Sequence, residues 1–186
     1  MTLKTGLNIT TMFSPDDDTQ TAFLQFMKDT KSHLRIAIYG MHLPPLIDDL
    51  LALHKAGKDI ALVCDHTQAM GTYEHPEIDA LIAAGVPLVI GSSDKHMIMH
   101  HKFAVRDKEA VLSGSWNFSV SASKEDNFFD IVESPERSTL FLSKWQEMHD
   151  WIAIHEQKWQ EATIGEDGKL QKGVRKRGLA GSENTH

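Results

Sequence analysis

Met99-His100-His101-Lys102-Phe103-Ala104-Val105-Arg106-Asp107-Lys108-Glu109-Ala110-Val111-Leu112-Ser113-Gly114-Ser115-Trp116-Asn117 is the stretch from which the fold and the chemistry of this chain are read. Its two apolar runs, Phe103-Ala104-Val105 and Ala110-Val111-Leu112, are β-compatible. The polar Arg106-Asp107-Lys108-Glu109 between them predicts a hairpin turn. Residues two apart in a strand project on one face, so His100 and Lys102 point the same way and His101 the other. The returning strand brings Ser113-Gly114-Ser115 beside the first. Gly114 allows close backbone approach, and Ser115 and Asn117 add hydrogen-bonding groups near the same point. An imidazole, an ammonium and an amide are thereby placed within reach of one anion.

The stretch resembles the signature of the phospholipase D superfamily, the HKD motif His-x-Lys-x4-Asp followed by Gly-Ser-x-Asn. His100, Lys102, Asp107, Gly114, Ser115 and Asn117 occupy the matching positions. The course of the chain is similar to the small single-motif bacterial endonucleases over residues 8–150. The likeness includes Phe13-Ser14-Pro15 before a helix, Ile36-Ala37-Ile38-Tyr39, Ile60 to Asp65, and Ala83 to Leu88. Those nucleases carry Glu-Asn after the Asn-Phe turn. Here Asp126-Asn127 stands at that place in a slightly shorter loop, with Glu125 next door. The carboxylate that orients the histidine is therefore either Asp126 or Glu125.

Outside the motif, strands and helices alternate. Strands are expected over 7–13, 33–39, 59–65, 87–90, the two arms of the hairpin, and 127–133. Ser14 is expected to cap the first helix, with Pro15 at its first position and Asp16 to Asp18 in its first turn. Further helices are expected from Pro45 to Gly57, from Pro76 to Ala84, and from Ser134-Pro135-Glu136 to about Trp159. Residues 67–73 read as a loop. The expected fold is α/β: a mixed, mostly parallel sheet of seven strands with helices on both faces. Residues 1–160 form the catalytic domain and 161–186 a polar, fraying tail with Lys172, Arg175, Lys176 and Arg177.

Composition sets the bounds. The chain has 186 residues, 41% of them apolar, enough for one domain with a substantial core. Its single cysteine, Cys64, excludes an intrachain disulfide and a Cys-rich zinc site, and its apolar neighbours place it in the core. His96, His100 and His101 cluster, but no carboxylate or cysteine stands at customary ligand spacing, so no metal and no cofactor is expected. A net charge of −7 gives no global attraction for nucleic acid, so any such affinity must be local, around Lys95, Lys102, Arg106 and Lys108. No apolar segment is long enough to span a membrane, and the N-terminus is not a secretory signal, so a cytoplasmic location is expected.

Hydrolysing a phosphodiester without a metal needs a nucleophile, an acid for the leaving oxygen opposite it, and cations for the non-bridging oxygens. One His100 cannot stand on both sides of the phosphorus, and the sequence has no second His-x-Lys-x4-Asp. A two-fold homodimer supplies both imidazoles. The resemblance implies the same: members with one motif pair, and members with two fold them into one chain. His100 is then nucleophile in one protomer and acid/base in the other. Lys102 and Asn117 bind the phosphate oxygens, Ser115 assists, and Asp126 or Glu125 accepts the far ring N–H of His100. Asp107 belongs to the motif, but its place in the hairpin gives it turn capping and local ion pairing.

His42 and His66 end strands where open sheets place functional groups, and His42 is a candidate lining of the substrate groove. Trp116 reads either as a base-stacking platform or as core. Trp145, Trp151 and Trp159 read as packing residues of the last helix. The expected activity is metal-independent endonucleolytic cleavage of DNA or RNA through a phosphohistidine. A lipid-directed phospholipase, with Met97-Ile98-Met99 as its apolar loop, and a non-cleaving nucleic-acid binder are the alternatives.

Overall fold

The structure, a computed structural model, describes residues 8–156. The tail expected over 161–186, Leu7 and Trp159 lie outside the described residues. The chain order is β1 (Asn8–Ser14), α1 (Thr19–Lys28), β2 (His33–Ile38), β3 (Met41–His42), α2 (Pro44–Lys55), β4 (Asp59–Asp65), α3 (His66–Ala69), α4 (His75–Ala83), β5 (Leu88–Gly91), β6 (Lys102–Arg106), β7 (Ala110–Gly114), β8 (Phe118–Ser119), β9 (Asn127–Glu133) and α5 (Pro135–His155).

Seven strands form one sheet in the order β1-β9-β7-β6-β2-β4-β5, and β3 pairs with β8 in a small second sheet. The sheet is mixed, but the expectation that it is mostly parallel is corrected. Only β2–β4 and β4–β5 run parallel. The pairs β1–β9, β2–β6, β6–β7 and β7–β9 are antiparallel. Helical crossovers make strands parallel, and they occur only in the first half of the chain. After β5 the connections are a loop, a hairpin and a short excursion, which leave neighbours antiparallel.

Both faces of the central strands are covered, as their continuous apolar runs require. On one face Leu34, Ile36 and Ile38 pack with Phe23, Phe26 and Met27 of α1 and Leu46 and Leu50 of α2. On the other, Ala37, Val63, Phe103, Val105 and Val111 pack against Trp145 and Ile152 of α5. Trp145 also donates its indole N–H to the carbonyl of Ile36 at 2.8 Å. Ser134 caps α5 by accepting the Arg137 N–H. Gly57, at φ +74°, stops the chain just past α2.

The start of α1 differs from its expectation. Ser14 ends β1, and its hydroxyl donates to the carbonyls of Ala122 and Glu125. Asp18 is the cap, accepting the Thr21 N–H. Asp17 closes the preceding turn by accepting the Phe13 N–H. The single Ser14 hydroxyl proton is shared between two carbonyls inside the fold, so it is committed there and the next acidic residues take over capping. The expected loop over 67–73 contains the short helix α3, capped by Asp65.

The β6–β7 hairpin forms as expected, with Asp107 and Lys108 both at positive φ. Asp107 does more than cap its own turn. It accepts the backbone N–H groups of Lys31, Ser32 and His33 and the Ser32 hydroxyl. Burial opposes the charged form, but these donors outweigh it and hold the carboxyl below its usual pKa. The stabilisation is therefore present above the unfolded-state carboxyl pKa and is lost as pH falls through the lower folded value. Asp107 stands five residues beyond Lys102, about 16 Å along an extended strand. Its bonds make it an anchor of the segment that enters β2, a wider version of the turn capping expected of it. Asp107→Ala should cost about 1–3 kcal/mol by thermal or urea unfolding, while the activity of the folded fraction stays unchanged.

Candidate functional site

The antiparallel ladder between β2 and β6 pairs Ile38 with Lys102. It continues one bond past β6, where the Tyr39 N–H donates to the carbonyl of His101 at 2.8 Å. His100 thus lies just before the strand rather than in it, yet the alternation of side chains persists. His101 turns edge-on to Phe103 of the α5 face. His100 and Lys102 both meet Tyr39. The imidazole packs edge-on against the Tyr39 ring at 4.5 Å between centroids. The Lys102 ammonium lies 4.8 Å from the same ring centre and donates to the His100 carbonyl at 3.1 Å.

His100 is exposed, whereas Lys102 is buried. Burial is the main influence lowering the Lys102 pKa, opposed by the Asp65 carboxylate. The His100 pKa is lowered by loss of solvation and then by the Lys102 charge, again opposed by Asp65. Asp65 is almost fully buried at the C-terminal end of β4. One of its oxygens caps α3 through the Thr67 and Gln68 N–H groups, and the other accepts the Met99 N–H at 2.7 Å. It thereby fixes the segment that leads into His100. Gln68 donates to the Tyr39 hydroxyl.

The next residue after Tyr39 carries the other half of the site. Gly40 accepts the Phe118 N–H, and the β3–β8 pair lies beyond it. Asn117 is thereby held over Gly40, where a Cβ would stand 3.3 Å from its Oδ1. Tyr39, Gly40, His42, Gln68, Tyr73, Glu74, Asn117, Ser119 and Ser121 line one groove. His42 lies in it as expected, its Nδ1 3.2 Å from Glu77 and its ring 5.6 Å from that of Tyr73. On the other side of Tyr39, His100 borders a second cleft with Ile98, Met99, Met148 and Trp151.

Several motif residues serve the scaffold. Trp116 is buried against Phe23, Phe118 and Phe129, so of its two readings the core one holds and the stacking platform does not. Gly114 cannot be a substrate contact through open space, since a Cβ there would lie 2.1 Å from the Phe128 carbonyl oxygen. Its role is the close approach of β7 to β9. Ser115 is exposed but already donates to Asn127 and accepts the Phe128 N–H. Asp126 lies in a separate recess with Phe13, Ser14, Asp16, Asn127 and Phe128, and Glu125 accepts from Asn127. Within one chain, the carboxylate whose charge acts on His100 is Asp65, not Asp126.

Tyr39, Asp65 and Glu74 are the residues of this site that motif reasoning missed. Tyr39 and Asp65 sit at the C-terminal ends of neighbouring parallel strands, a position that carries functional groups in α/β sheets. Glu74 precedes α4 and gives no local signal.

This site, on this sheet, belongs to a known class. The family model described as "Cardiolipin synthase, PLD-like domain" matches residues 23–151. The chain belongs to this phospholipase D-like family. It is 31% identical over 136 residues to a mitochondrial cardiolipin hydrolase of Danio rerio, covering 68% of this chain and 58% of that protein. It is 26% identical over 131 residues to that of Chlamydomonas reinhardtii, covering 69% and 56%. The chain thus spans little more than half the length of these relatives. Among solved structures, Nuc of Salmonella typhimurium, a phospholipase D family member, superposes with a TM-score of 0.71 at 24% identity, covering 77% of this chain and 94% of that one. NucT from Helicobacter pylori superposes at 0.67 with 16% identity, covering 77% and 96%. Both likenesses bear on the fold.

The electrostatics are open to a direct check. The His100 ring should titrate by NMR with a midpoint below 6.5, the ordinary value. Asp65→Asn, which removes the one opposing charge, should move that midpoint lower still.

Proposed function

We propose that the protein is a metal-independent phosphodiesterase acting on nucleic acid from a site shared by two copies of the chain. The observation that carries the chemistry is the pairing of an exposed His100 with a buried Lys102 on one tyrosine ring. A neutral imidazole attacks phosphorus, so a P–N bond forms and the bond to the leaving oxygen breaks. The protonated His100 of the second copy gives its proton to that oxygen. Water then attacks phosphorus from the side the leaving group vacated, losing its proton to the second imidazole. The P–N bond breaks and both histidines return to their starting states. Lys102 and the Asn117 amide stabilise the charge on the non-bridging oxygens. Lowered imidazole basicity favours the nucleophile, which is available above the His100 pKa and lost as pH falls through it.

The groove beside Asn117 supports a nucleic-acid substrate. Its walls are hydroxyls, amides and rings, and Tyr73 at its edge is 76% exposed. A tyrosine left in water beside a phosphate site is a surface on which a base can stack. A specific observation also favours lipid phosphodiesters as a second reading. The second cleft at His100 includes Ile98, Met99, Met148 and Trp151 among polar residues such as Ser92, Lys144 and Glu147, and Ile98 is exposed in it. The curated relatives named above are cardiolipin hydrolases.

Single-stranded DNA, double-stranded DNA, RNA and cardiolipin vesicles, each in chelator, separate the readings. Cleavage of nucleic acid supports the first, lipid release the second, and binding without products marks a non-cleaving module. His100→Ala should abolish turnover without loss of fold. Light scattering should find a dimer, and a fully active monomer would refute the shared site.

Tyr73→Ala should raise KM for single-stranded DNA roughly tenfold. It should leave hydrolysis of bis(p-nitrophenyl) phosphate, which has no base, unchanged.

A further inference from the structure

Asn117 presents its phosphate-binding amide correctly only if something decides which way that amide faces. An amide rotated by half a turn exchanges an NH2 donor for a carbonyl acceptor. Asn117 Oδ1 is buried and has no hydrogen-bond partner in the fold. Such an oxygen costs free energy unless a donor reaches it.

Glu74 stands over the same glycine. A Cβ on Gly40 would be 3.3 Å from Asn117 Oδ1 and 3.5 Å from Glu74 Oε1. The missing side chain leaves one small recess in which two oxygens converge. Glu74 is only 8% exposed. As a carboxylate it offers Asn117 a second acceptor, which repels the amide oxygen. As a carboxylic acid it offers an O–H, and the pair becomes a hydrogen bond.

We propose that Glu74 is a positioning residue: in its protonated form it donates to Asn117 Oδ1 and so turns the Asn117 NH2 toward the phosphate site. When Glu74 ionises, the amide rotates to give its NH2 to the carboxylate and presents its carbonyl to the phosphate instead. The orientation of Asn117 is thus a two-state element set by one proton. The hydrogen bond itself stands on the geometry of the recess, and its effect on phosphate rests on the function proposed above.

The surroundings of Glu74 place the switch in a useful range. Burial is the largest influence, pushing its carboxyl up to about 7, against the Met41 N–H bond that favours ionisation. Glu77 of α4 and Asp65 of β4 raise it further, and His42 of β3 lowers it. The Cys64 thiol on β4 is pushed up by burial and stays neutral. The active orientation is therefore populated below about 7 and lost as pH rises through that value. By linkage, a bound phosphodiester holds the proton on Glu74 more tightly.

The test reads the amide directly. The Asn117 side-chain NH2 resonances, assigned by their loss in Asn117→Asp, are followed by 15N NMR between about pH 5.5 and about pH 8.5. They should move with a midpoint near 7 in the wild type and stay fixed in Glu74→Gln, whose amide donates at every pH. Dimethyl phosphate, whose charge does not change in this range, should bind the wild type about tenfold more weakly at the alkaline end. In Glu74→Gln only the smaller loss that accompanies titration of His100 should remain. A wild-type amide that does not titrate, or one that titrates identically in Glu74→Gln, overturns the proposal. If Glu74→Gln fails to fold, the wild-type titration decides alone. A titrating amide with pH-independent dimethyl phosphate affinity overturns the positioning role and with it the placement of Asn117 at the phosphate. Because neither measurement needs turnover, an inactive protein does not confuse the outcome.

Discussion

The site depends on one backbone hydrogen bond, from the Tyr39 N–H to the carbonyl of His101. It extends the β2–β6 ladder past the last paired residues, Ile38 and Lys102. A side chain can be aimed only as well as its backbone is fixed. Here the fixing is done by a strand whose neighbours are β4 and β6 and whose faces are both buried. Tyr39 then meets His100 on one side and Lys102 beside it, while Gly40 accepts the Phe118 N–H and carries Asn117. The two halves of the motif are brought together by residues from neither half.

That arrangement has an electrostatic cost. Lys102 is buried, and the depressed pKa of Lys102 reflects the lost solvation. Asp65 offsets part of it while its own oxygens are satisfied by three backbone N–H groups. The Tyr39 ring supplies a further, uncharged stabilisation of the ammonium. A cation held this way is short of anionic partners in the empty protein. Under the proposed function, a phosphate oxygen is the anionic partner that this burial leaves Lys102 without.

What the sequence made legible follows from locality. His100, Lys102 and Asn117 lie within one hairpin and its exit, so alternation and turn chemistry place them without long-range knowledge. The seven strands of the sheet and helices α1, α2, α4 and α5 are also visible, because each carries its own period, whereas the single turn of α3 is too short to carry one. Strand direction is not, since it depends on how the loops after β5 route the chain. Asp107 and Trp116 show a different limit. Both sit inside the motif, yet the partners that define their roles, Lys31 to His33 for one and Phe23 for the other, are remote in sequence. Tyr39, Asp65 and Glu74 fail for the same reason from the opposite side: nothing near them in sequence announces the histidine and the asparagine they meet.

The division of labour around Tyr39 bears on how one fold serves different phosphodiesters. In the proposed mechanism the groups that meet the phosphate are His100 and Lys102 at the start of β6 and Asn117 on the turn after β7, with Tyr39 and Asp65 supporting them from the ends of β2 and β4. The two surfaces that flank it come from elsewhere. Tyr73 and Ser121 on one side, and Ile98, Met148 and Trp151 on the other, lie on loops, helix α5 and the short turn at 121–124. Substituting these leaves the ladder from Ile38 to Tyr39 untouched. An exposed tyrosine ring suits a base, and an exposed isoleucine beside methionine and tryptophan suits an acyl chain. Selection between a nucleic acid and a lipid therefore requires no change in the residues that act on phosphorus. It follows that sequence likeness concentrated in the sheet reports the reaction, whereas the substrate is written in the walls.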